Sequence, residues 1–499
     1  MPVIYENSVA ASKEAVTIVH PLDISGPVSW ILIEMRTNQL NVVQVLAWDS
    51  HGALRAQSFS STGETTLRIQ AAGGDSFCDS LAGSLPGGSW RIEVLLHPNR
   101  SADLNYNLTI SQGNGETPWT DDDSQPTKDP WSVIDGKTQG LVLTTARWDR
   151  SLEKRQRWYR GDFHTHTQLS DGKMSPQHLL EVAAERGLDF FAATEHNLIP
   201  TGWPHSDSIL VIPGIELTSS AGHFNVLGIK HWPDWRYNAP DGGCESQAGI
   251  DRLITETKAG GALCSLNHSL LPSWEWRWDE TPLNLVDALE IINDPTFPGN
   301  EEASEAALLA WDILWNDGYN IRGLGGSDTH LLPGESYTGD GRPSLVGDPT
   351  TVVLADSLSI RAIIEAVAAG RIYVSRGPVI EPQLTFNGTT CYFGSDLTAT
   401  PGGQDCLLEF KIGVSKAPAA GSIILIENGS ESARQKINGD GLFSFTLSWP
   451  KSDYHWARIE IRDNYNQLLA FSNPLYRGRK KPALKTWGDL RRKIKHRLP

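Results

Sequence analysis

The chain has 499 residues, of which 39% are hydrophobic and 20% charged, a globular balance that excludes a disordered or fibrous protein. At roughly 150 residues per domain the length allows about three domains. The formal charge is −16. Arg477 to Pro499 carries ten Lys or Arg and one Asp, a net of +9, which leaves −25 on the rest. Such an acidic body is a poor nucleic-acid binder, since affinity for phosphate backbones needs clustered basic residues, but it suits a protein that gathers divalent cations. No run reaches the roughly 18 to 20 apolar residues of a membrane span. The opening MPVIYENSVAASKEAV has no basic stretch leading into an apolar core, so the expected address is cytoplasmic. Five dispersed cysteines without a C-x-x-C pair argue against a disulfide framework and a zinc ribbon.

Residues 15 to 112 alternate or run apolar over short stretches such as SWILIEMRT and SWRIEVLLH, punctuated by Gly, Pro, Asn and Ser. They predict six to eight strands and a β-sandwich over 1–112. The polar text GNGETPWTDDDSQPTKDPWSVIDGKTQG follows, and 113–157 is read as a linker. From 158 to 378 short apolar strands alternate with helical runs, as in SPQHLLEVAAERG, where Ser175 can cap, Pro176 takes the first helical position and Gly187 stops the helix. This pattern predicts an α/β domain with largely parallel strands, an arrangement that can close as a TIM-like barrel. Strand-and-turn text returns over 379–476 as a second β-sandwich. The tail, 477–499, spaces Leu484, Trp487, Leu490, Ile494 and Leu498 helically among basic residues. Two readings stand for it: docking on the acidic body, which is preferred, or a weak peripheral attachment to an anionic membrane.

The chemistry concentrates in the middle domain. In an extended strand residues i and i+2 share a face, so His164 and His166 can grip one ion, with Asp171 five residues on. Further strands end in Thr194-Glu195-His196-Asn197, in Glu216, in Asn267-His268 and in Asp328-Thr329-His330, and another begins at His223. In a parallel barrel such strand ends converge on one rim. A lone strand-end His is more often a hydrogen-bonded bystander, and His178, His205 and His231 are read that way. Nine candidates together, His164, His166, Asp171, His196, Glu216, His223, His268, Asp328 and His330, are hard to explain so. They could hold two to three divalent ions, and the mixed N/O shell suits Mn²⁺, Zn²⁺ or Fe²⁺ better than magnesium or calcium.

HTHT-x-x-SDG, TEHN, the Glu216/His223 pair, NHS and GSDTH resemble, in order, the motifs of the polymerase-and-histidinol-phosphatase (PHP) metallohydrolase superfamily. The resemblance covers about residues 158 to 378. YRGDFHTHT, SRGP and RIEIRD…AFSNPLY are similar to its carbaryl-hydrolase-like (CehA/McbA) branch. The resemblance implies a distorted (β/α)7 barrel with a trinuclear centre, here flanked by two β-sandwich domains. It assigns one ion to His164, His166, Glu216 and Asp328, and a second to Asp171, His196 and His330. A third falls to Glu216, His223 and His268, with Glu216 bridging. Glu195 stands where the family often has Asp, and is not counted as a ligand.

Ions held this close together would lower the pKa of a bridging water, whose hydroxide attacks phosphorus or a carbonyl carbon. No G-x-S-x-G elbow or phosphate-binding P-loop competes with this chemistry. The expected function is a metal-dependent hydrolase cleaving phosphomono- or diesters, with Asp328 and His330 catalytic. Arg160 is the leading cation for an anionic group, ahead of Lys173 and Arg376. Carbamate or carboxylic ester hydrolysis is the alternative, and a non-catalytic scaffold the third reading. Trp274, Trp276 and Trp278, if extended, could wall a pocket for an aromatic leaving group, or pack against a sandwich. The expected partner is a small ester substrate, with no nucleic acid and no transmembrane segment. The five N-x-S/T sequons, one of them abutting His268, are read as chance.

Overall fold

The computed structural model describes residues 2–40, 42–119, 126–127, 129–134, 140–339, 341–399, 405–450 and 453–495. Eight strands come first: β1 Val3–Val9, β2 Val16–Ile24, β3 Trp30–Thr37, β4 Val43–Trp48, β5 Leu54–Ser60, β6 Glu64–Gln70, β7 Gly88–Leu96 and β8 Leu104–Gly113. They form two four-stranded sheets, ordered β1-β8-β3-β6 and β2-β7-β4-β5. Alternation decides the inward faces: Ile31, Ile33 and Met35 of β3 meet Val43, Val45, Ile92 and Val94 in one core. β4 and β5 are buried on both faces, because Leu46, Trp48 and Leu54 pack outward into the central region's core. Gln44 fastens that contact by accepting from Trp235 Nε1 at 3.2 Å and donating to the Tyr237 hydroxyl at 3.2 Å.

The stretch expected as a linker lies, where described, against the central region. Its short β9 Asp129–Pro130 pairs with β12 Gly202–Trp203, and Trp131 stacks on Trp203 at 6.1 Å. Asp121–Asp123 fall outside the described residues.

The central strands are β10 Arg157–Thr165, β11 Phe190–Ala193, β13 Leu210–Ser219, β14 Gly222–Leu227, β15 Leu263–Leu266, β16 Ala288–Asn293 and β17 Arg322–Gly326. They neighbour one another in that order. Four of the pairings are parallel, but β13/β14 and β14/β15 are antiparallel. The expectation of largely parallel strands each followed by a helix is therefore met only in part. Its physical reason is local: β13 and β14 are joined by Ser220 and Ala221 alone, too short for a crossover helix. The ends of the run approach each other at a parallel bridge, Thr165↔Thr329, where Asp328 N–H donates to His164 O at 2.8 Å. Gly326 permits this, since a Cβ there would sit 2.3 Å from His164 Cβ.

The molecule is predominantly β, with five α-helices among the described residues: α1 Pro176–Glu185, α2 Gln247–Ala259, α3 Asn300–Asp317, α4 Ile360–Ala368 and α5 Trp487–Lys495. Ser175 caps α1 by accepting from His178 N–H, with Pro176 at the first position as the sequence predicts. None of these helices is long and apolar enough to cross a membrane.

Beyond the central run the same sheet continues through β18 Thr350–Ala355 and β19 Ile372–Ser375. It goes on through β27 Leu468–Ser472, β26 His455–Asp463, β23 Gly421–Glu427 and β24 Ser430–Ile437, with β28 Leu475–Arg477 beside β26. A second sheet, β21 Thr389–Cys391, β20 Val379–Phe386, β22 Asp405–Ser415 and β25 Gly441–Pro450, packs over it around Phe386, Leu408, Phe410 and Ile459. α5 buries Trp487, Leu490 and Ile494, and Trp487 Nε1 donates to Trp276 O at 2.9 Å. Arg491 reaches Asp279 at 2.8 Å, and Leu498 lies outside the described residues.

Candidate metal centre

The cluster assembles from strand ends. β10 turns His164 and His166 to one side, while Thr165 between them points away and donates to Ala192 O at 2.8 Å. Asp162, fully buried, accepts from the N–H groups of His164, Ser327 and Gly347, tying β10 to the segment that carries Asp328. Burial pushes the Asp162 carboxyl up to about 6. His196 and Asn197 follow β11, Glu216 lies inside β13, His223 opens β14, and His268 follows β15. Three of these non-glycine residues sit in left-handed backbone: Asn197 at φ 44°, His268 at 30° and Asp328 at 47°. Such geometry costs about 1–3 kcal/mol per residue and persists where surrounding structure imposes it.

All nine predicted ligand residues come together. His164 Nε2 lies 3.3 Å from Glu216 Oε1 and 3.2 Å from Asp328 Oδ1, and His166 Nε2 3.3 Å from Glu216 Oε2 and 3.0 Å from Asp328 Oδ1. Asp171 Oδ1 is 3.5 Å from His196 Nε2 and 3.2 Å from His330 Nε2. Glu216 Oε1 is 3.2 Å from His223 Nδ1 and 3.4 Å from His268 Nε2. Three overlapping groups result: His164, His166, Glu216 and Asp328; His166, Asp171, His196 and His330; and His196, Glu216 and His223.

Two observations test whether such residues suit metal. Ligand atoms about 2.1 Å from a tetrahedral ion stand about 3.4 Å from each other, the spacing found here. In addition, His164 Nε2, both ring nitrogens of His166, Asp171 Oδ1, Glu216 Oε2, His223 Nδ1 and Asp328 Oδ1 are buried without a hydrogen bond among the described residues. Each unsatisfied buried polar group costs about 1–3 kcal/mol, which a shared cation would offset. The donor set fits divalent ions.

Close packing of imidazoles and carboxylates shifts the charge states of both. Burial drives the His223 ring down to about 4, leaving the neutral imidazole that a ligand requires. Burial also disfavours the charged forms of Glu216, Asp171 and Asp328, yet the surrounding imidazoles hold all three below the usual carboxylate range. Reciprocally, His330 ends at about 10: burial lowers it, and Asp171 and Asp328 more than reverse that.

Around the ligands stands a supporting shell, of which sequence reading noted Glu195 and Asn267 but missed Glu290 and Asn293. Glu290 Oε1 meets His164 Nδ1 at 3.0 Å, while its Oε2 accepts from His268 N–H and Asn293 Nδ2, each at 3.0 Å. Asn267 Nδ2 donates to Glu216 Oε1 at 2.8 Å. Glu195 accepts from Thr167 N–H at 3.1 Å and from the hydroxyls of Thr167 and Ser170, bracing the loop that carries Asp171. The signal for Glu290 was a carboxylate inside the apolar run ALEIIN.

Arg160 does not join the cluster; it sits in the middle of β10, short of the end that carries His164, and its guanidinium donates to Gly187 O and Thr350 Oγ1. Lys173 pairs with Glu335 and Arg376 with Asp348. The arginine that does line the cavity is Arg277, which donates to Ser220 O. The three tryptophans do not share a face, since turns replace the extended conformation. Trp274 alone lines the cavity, 5.6 Å from the His223 ring; Trp276 is buried against Phe224, and Trp278 Nε1 donates to Ser219 Oγ. The sequon residue Asn267 is 1% exposed.

The cluster floors a cavity of about 510 Å³ whose walls include Leu271, Trp274, Phe297 and Tyr337. Val42, Phe59, His97 and Asn99 of the N-terminal sheets complete it, and the Phe59 ring lies 5.1 Å from that of His196.

No family model and no curated protein matches the chain. Among solved structures, it is similar to a two-domain Bacteroides vulgatus protein containing a predicted PHP-like metal-dependent phosphoesterase. The identity is 17%, covering 64% of this chain and 96% of that one, with a TM-score of 0.35. It is also similar to an amidohydrolase from Chromobacterium violaceum with bound sulfate and no metal, at 14% identity. That match covers 37% of this chain and 93% of that one, with a TM-score of 0.23.

Proposed function

We propose that the protein is a metal-dependent hydrolase of the PHP type acting on phosphoesters. The observation that carries this reading is the convergence of nine His, Asp and Glu side chains on the floor of a cavity, with buried atoms of His164, His166, Asp171, Glu216, His223 and Asp328 lacking hydrogen bonds among the described residues. The first two groups would each hold one divalent ion, and Glu216 with His223 and His268 a third. Bound there, such ions would supply Lewis-acid activation of water and of the ester oxygen.

The chain's own residues do the rest. Glu216 and Asp328 supply the negative charge that binds cations, and Glu290 holds the His164 ring with Nε2 facing them. Leu271, Trp274 and Phe297 exclude water from the cavity and receive the apolar part of a substrate. His330 faces the cavity with Nε2 beside Asp171 and Nδ1 bonded to Asp328 O, which orients its ring as a ligand at the cavity floor.

One observation favours carbamate or carboxylic ester hydrolysis as a second reading. The cavity walls are aromatic and carry Arg277 as their arginine, already engaged with Ser220 O, which suits a neutral aromatic substrate. Turnover of bis-(p-nitrophenyl) phosphate, p-nitrophenyl phosphate and 1-naphthyl N-methylcarbamate, with manganese, with zinc and after chelation, separates the two. Metal-dependent release from a phosphate ester supports the first; carbamate turnover with silent phosphates supports the second. Silence together with absence of bound metal by elemental analysis overturns both.

A further inference from the structure

Asp171 and Phe59 border two cavities, not one. On their far side from the aromatic cavity lies a cleft of about 590 Å³, between the N-terminal sheets and the loop 168–173. Its floor is β5, the outermost strand of its sheet, and the turn leading into β6.

The chemistry of the two cavities differs. The cleft is lined by the hydroxyls of Ser58, Ser60, Ser61, Thr62, Thr65 and Thr66. Ser60 Oγ and Thr62 Oγ1 lie 3.1 Å apart. Ser58 is 5% exposed, and its Oγ is buried without a partner among the described residues. A buried hydroxyl left unsatisfied is unfavourable, so a ligand group that reaches it is favoured. The charged groups here disfavour an anion: Glu64, Asp79 and Asp171 are acidic, and Lys173 is paired with Glu335. What this lining recognises is a neutral group that both donates and accepts hydrogen bonds, a polyol or sugar hydroxyl array.

We infer that the hydroxyl-lined cleft is a second substrate subsite, taking a neutral hydroxylated group, so that the scissile ester spans the two cavities above the metal cluster. This rests on the hydrolase reading for the word substrate, but the cleft's ligand class stands on its own residues. A bridging substrate has substituents on both sides of the reacting centre. The inference therefore favours a diester, or an ester with a hydroxylated acyl group, over a phosphomonoester.

The ligand class is tested without turnover, by saturation-transfer NMR of methyl glucoside and of glycerol on the metal-loaded full chain. Transfer to the hydroxylated probe is expected in the wild type and should fall at least fivefold in S58A/S60A. The absence of transfer in the wild type, or equal transfer in the variant, overturns the subsite whatever the protein hydrolyses. Turnover then tests the bridge, comparing the p-nitrophenyl phosphodiesters of glycerol and of methanol. A kcat/KM at least tenfold higher for the glycerol diester, with the ratio collapsing in S58A/S60A and the methyl diester unaffected, is the expected result. Equal kcat/KM in the wild type overturns the bridge. If neither phosphodiester reacts, the phosphoester reading fails separately, and the same ratio is read on p-nitrophenyl glycerate against p-nitrophenyl propionate. Silence of that pair as well overturns the bridge and leaves the NMR result to decide the ligand class.

Discussion

Glu290 grips His164 from behind, Oε1 to Nδ1 at 3.0 Å, and so turns Nε2 towards Glu216 and Asp328. A carboxylate in this role fixes the tautomer and raises the basicity of the ring. Glu290→Ala should therefore weaken metal binding by about 10–100-fold. Equilibrium dialysis with elemental analysis reads this directly, and unaltered affinity would remove Glu290 from the site.

His166 belongs to two of the three ligand groups, and its ring lies between those of His330, at 4.2 Å, and His196, at 4.4 Å. His166→Ala should lower turnover by more than the roughly hundredfold typical of outer-shell changes. The apolar core of the central strands lies elsewhere, so the far-UV circular dichroism of the variant should match the wild type. Unchanged turnover would sink the proposed site.

Cations bound by residues from β10, β13 and β14 stabilise only the folded chain. At a hundred times its Kd, one such ion adds about 2.7 kcal/mol. Chelation should lower the thermal midpoint, and adding manganese or zinc should restore it. A midpoint indifferent to both would mean the cluster holds no ion.

Arg458 is completely buried, contacting Asp312 of α3 at 3.0 Å and Glu460 at 2.6 Å. Removing the guanidinium leaves the buried Glu460 and part-buried Asp312 carboxylates near each other, with Arg462 bonded directly only to Glu460 of the two. Arg458→Met should cost about 3–5 kcal/mol in urea unfolding, far from the cavity. A smaller loss than 1 kcal/mol would show that water reaches the pair.

The tail can be tested against a membrane role. Because Trp487, Leu490 and Ile494 face the body, the full chain should not sediment with anionic vesicles, and Trp487→Ala should cost about 3–5 kcal/mol in stability. Sedimentation of the intact chain would mean that the helix leaves its berth.

Much of the centre was legible because ligand chemistry restricts residue types and strands repeat every second residue. The H-x-H spacing of His164 and His166 is weak alone and gains force from the acids and imidazoles beside the other apolar runs, although Glu216 proves to lie inside β13 rather than at its end. Glu290 was not legible, since a carboxylate in an apolar run reads as an interruption until its partner is known. Phe59 reaches His196 from another sheet, and no local pattern encodes a contact across 137 positions of chain. Arg160 misled for the converse reason: closeness in sequence to His164 is distance in space when a strand separates them. The fold reading met a similar limit, because the hairpin at Ser220 and Ala221 replaces a crossover that alternating text suggested.

The pairing of β19 with β27 has a practical result for anyone who wishes to isolate the region that carries the candidate metal centre. Val374 faces Phe471 across that ladder, and Gly323 of β17 exchanges both backbone hydrogen bonds with the Asn473 side chain, at 2.9 and 2.8 Å. Cutting the chain after Pro378 would strip β19 of its neighbour and leave an open row of amide and carbonyl groups. Such a raw edge recruits other chains, so the shortened protein should aggregate although every metal ligand is retained.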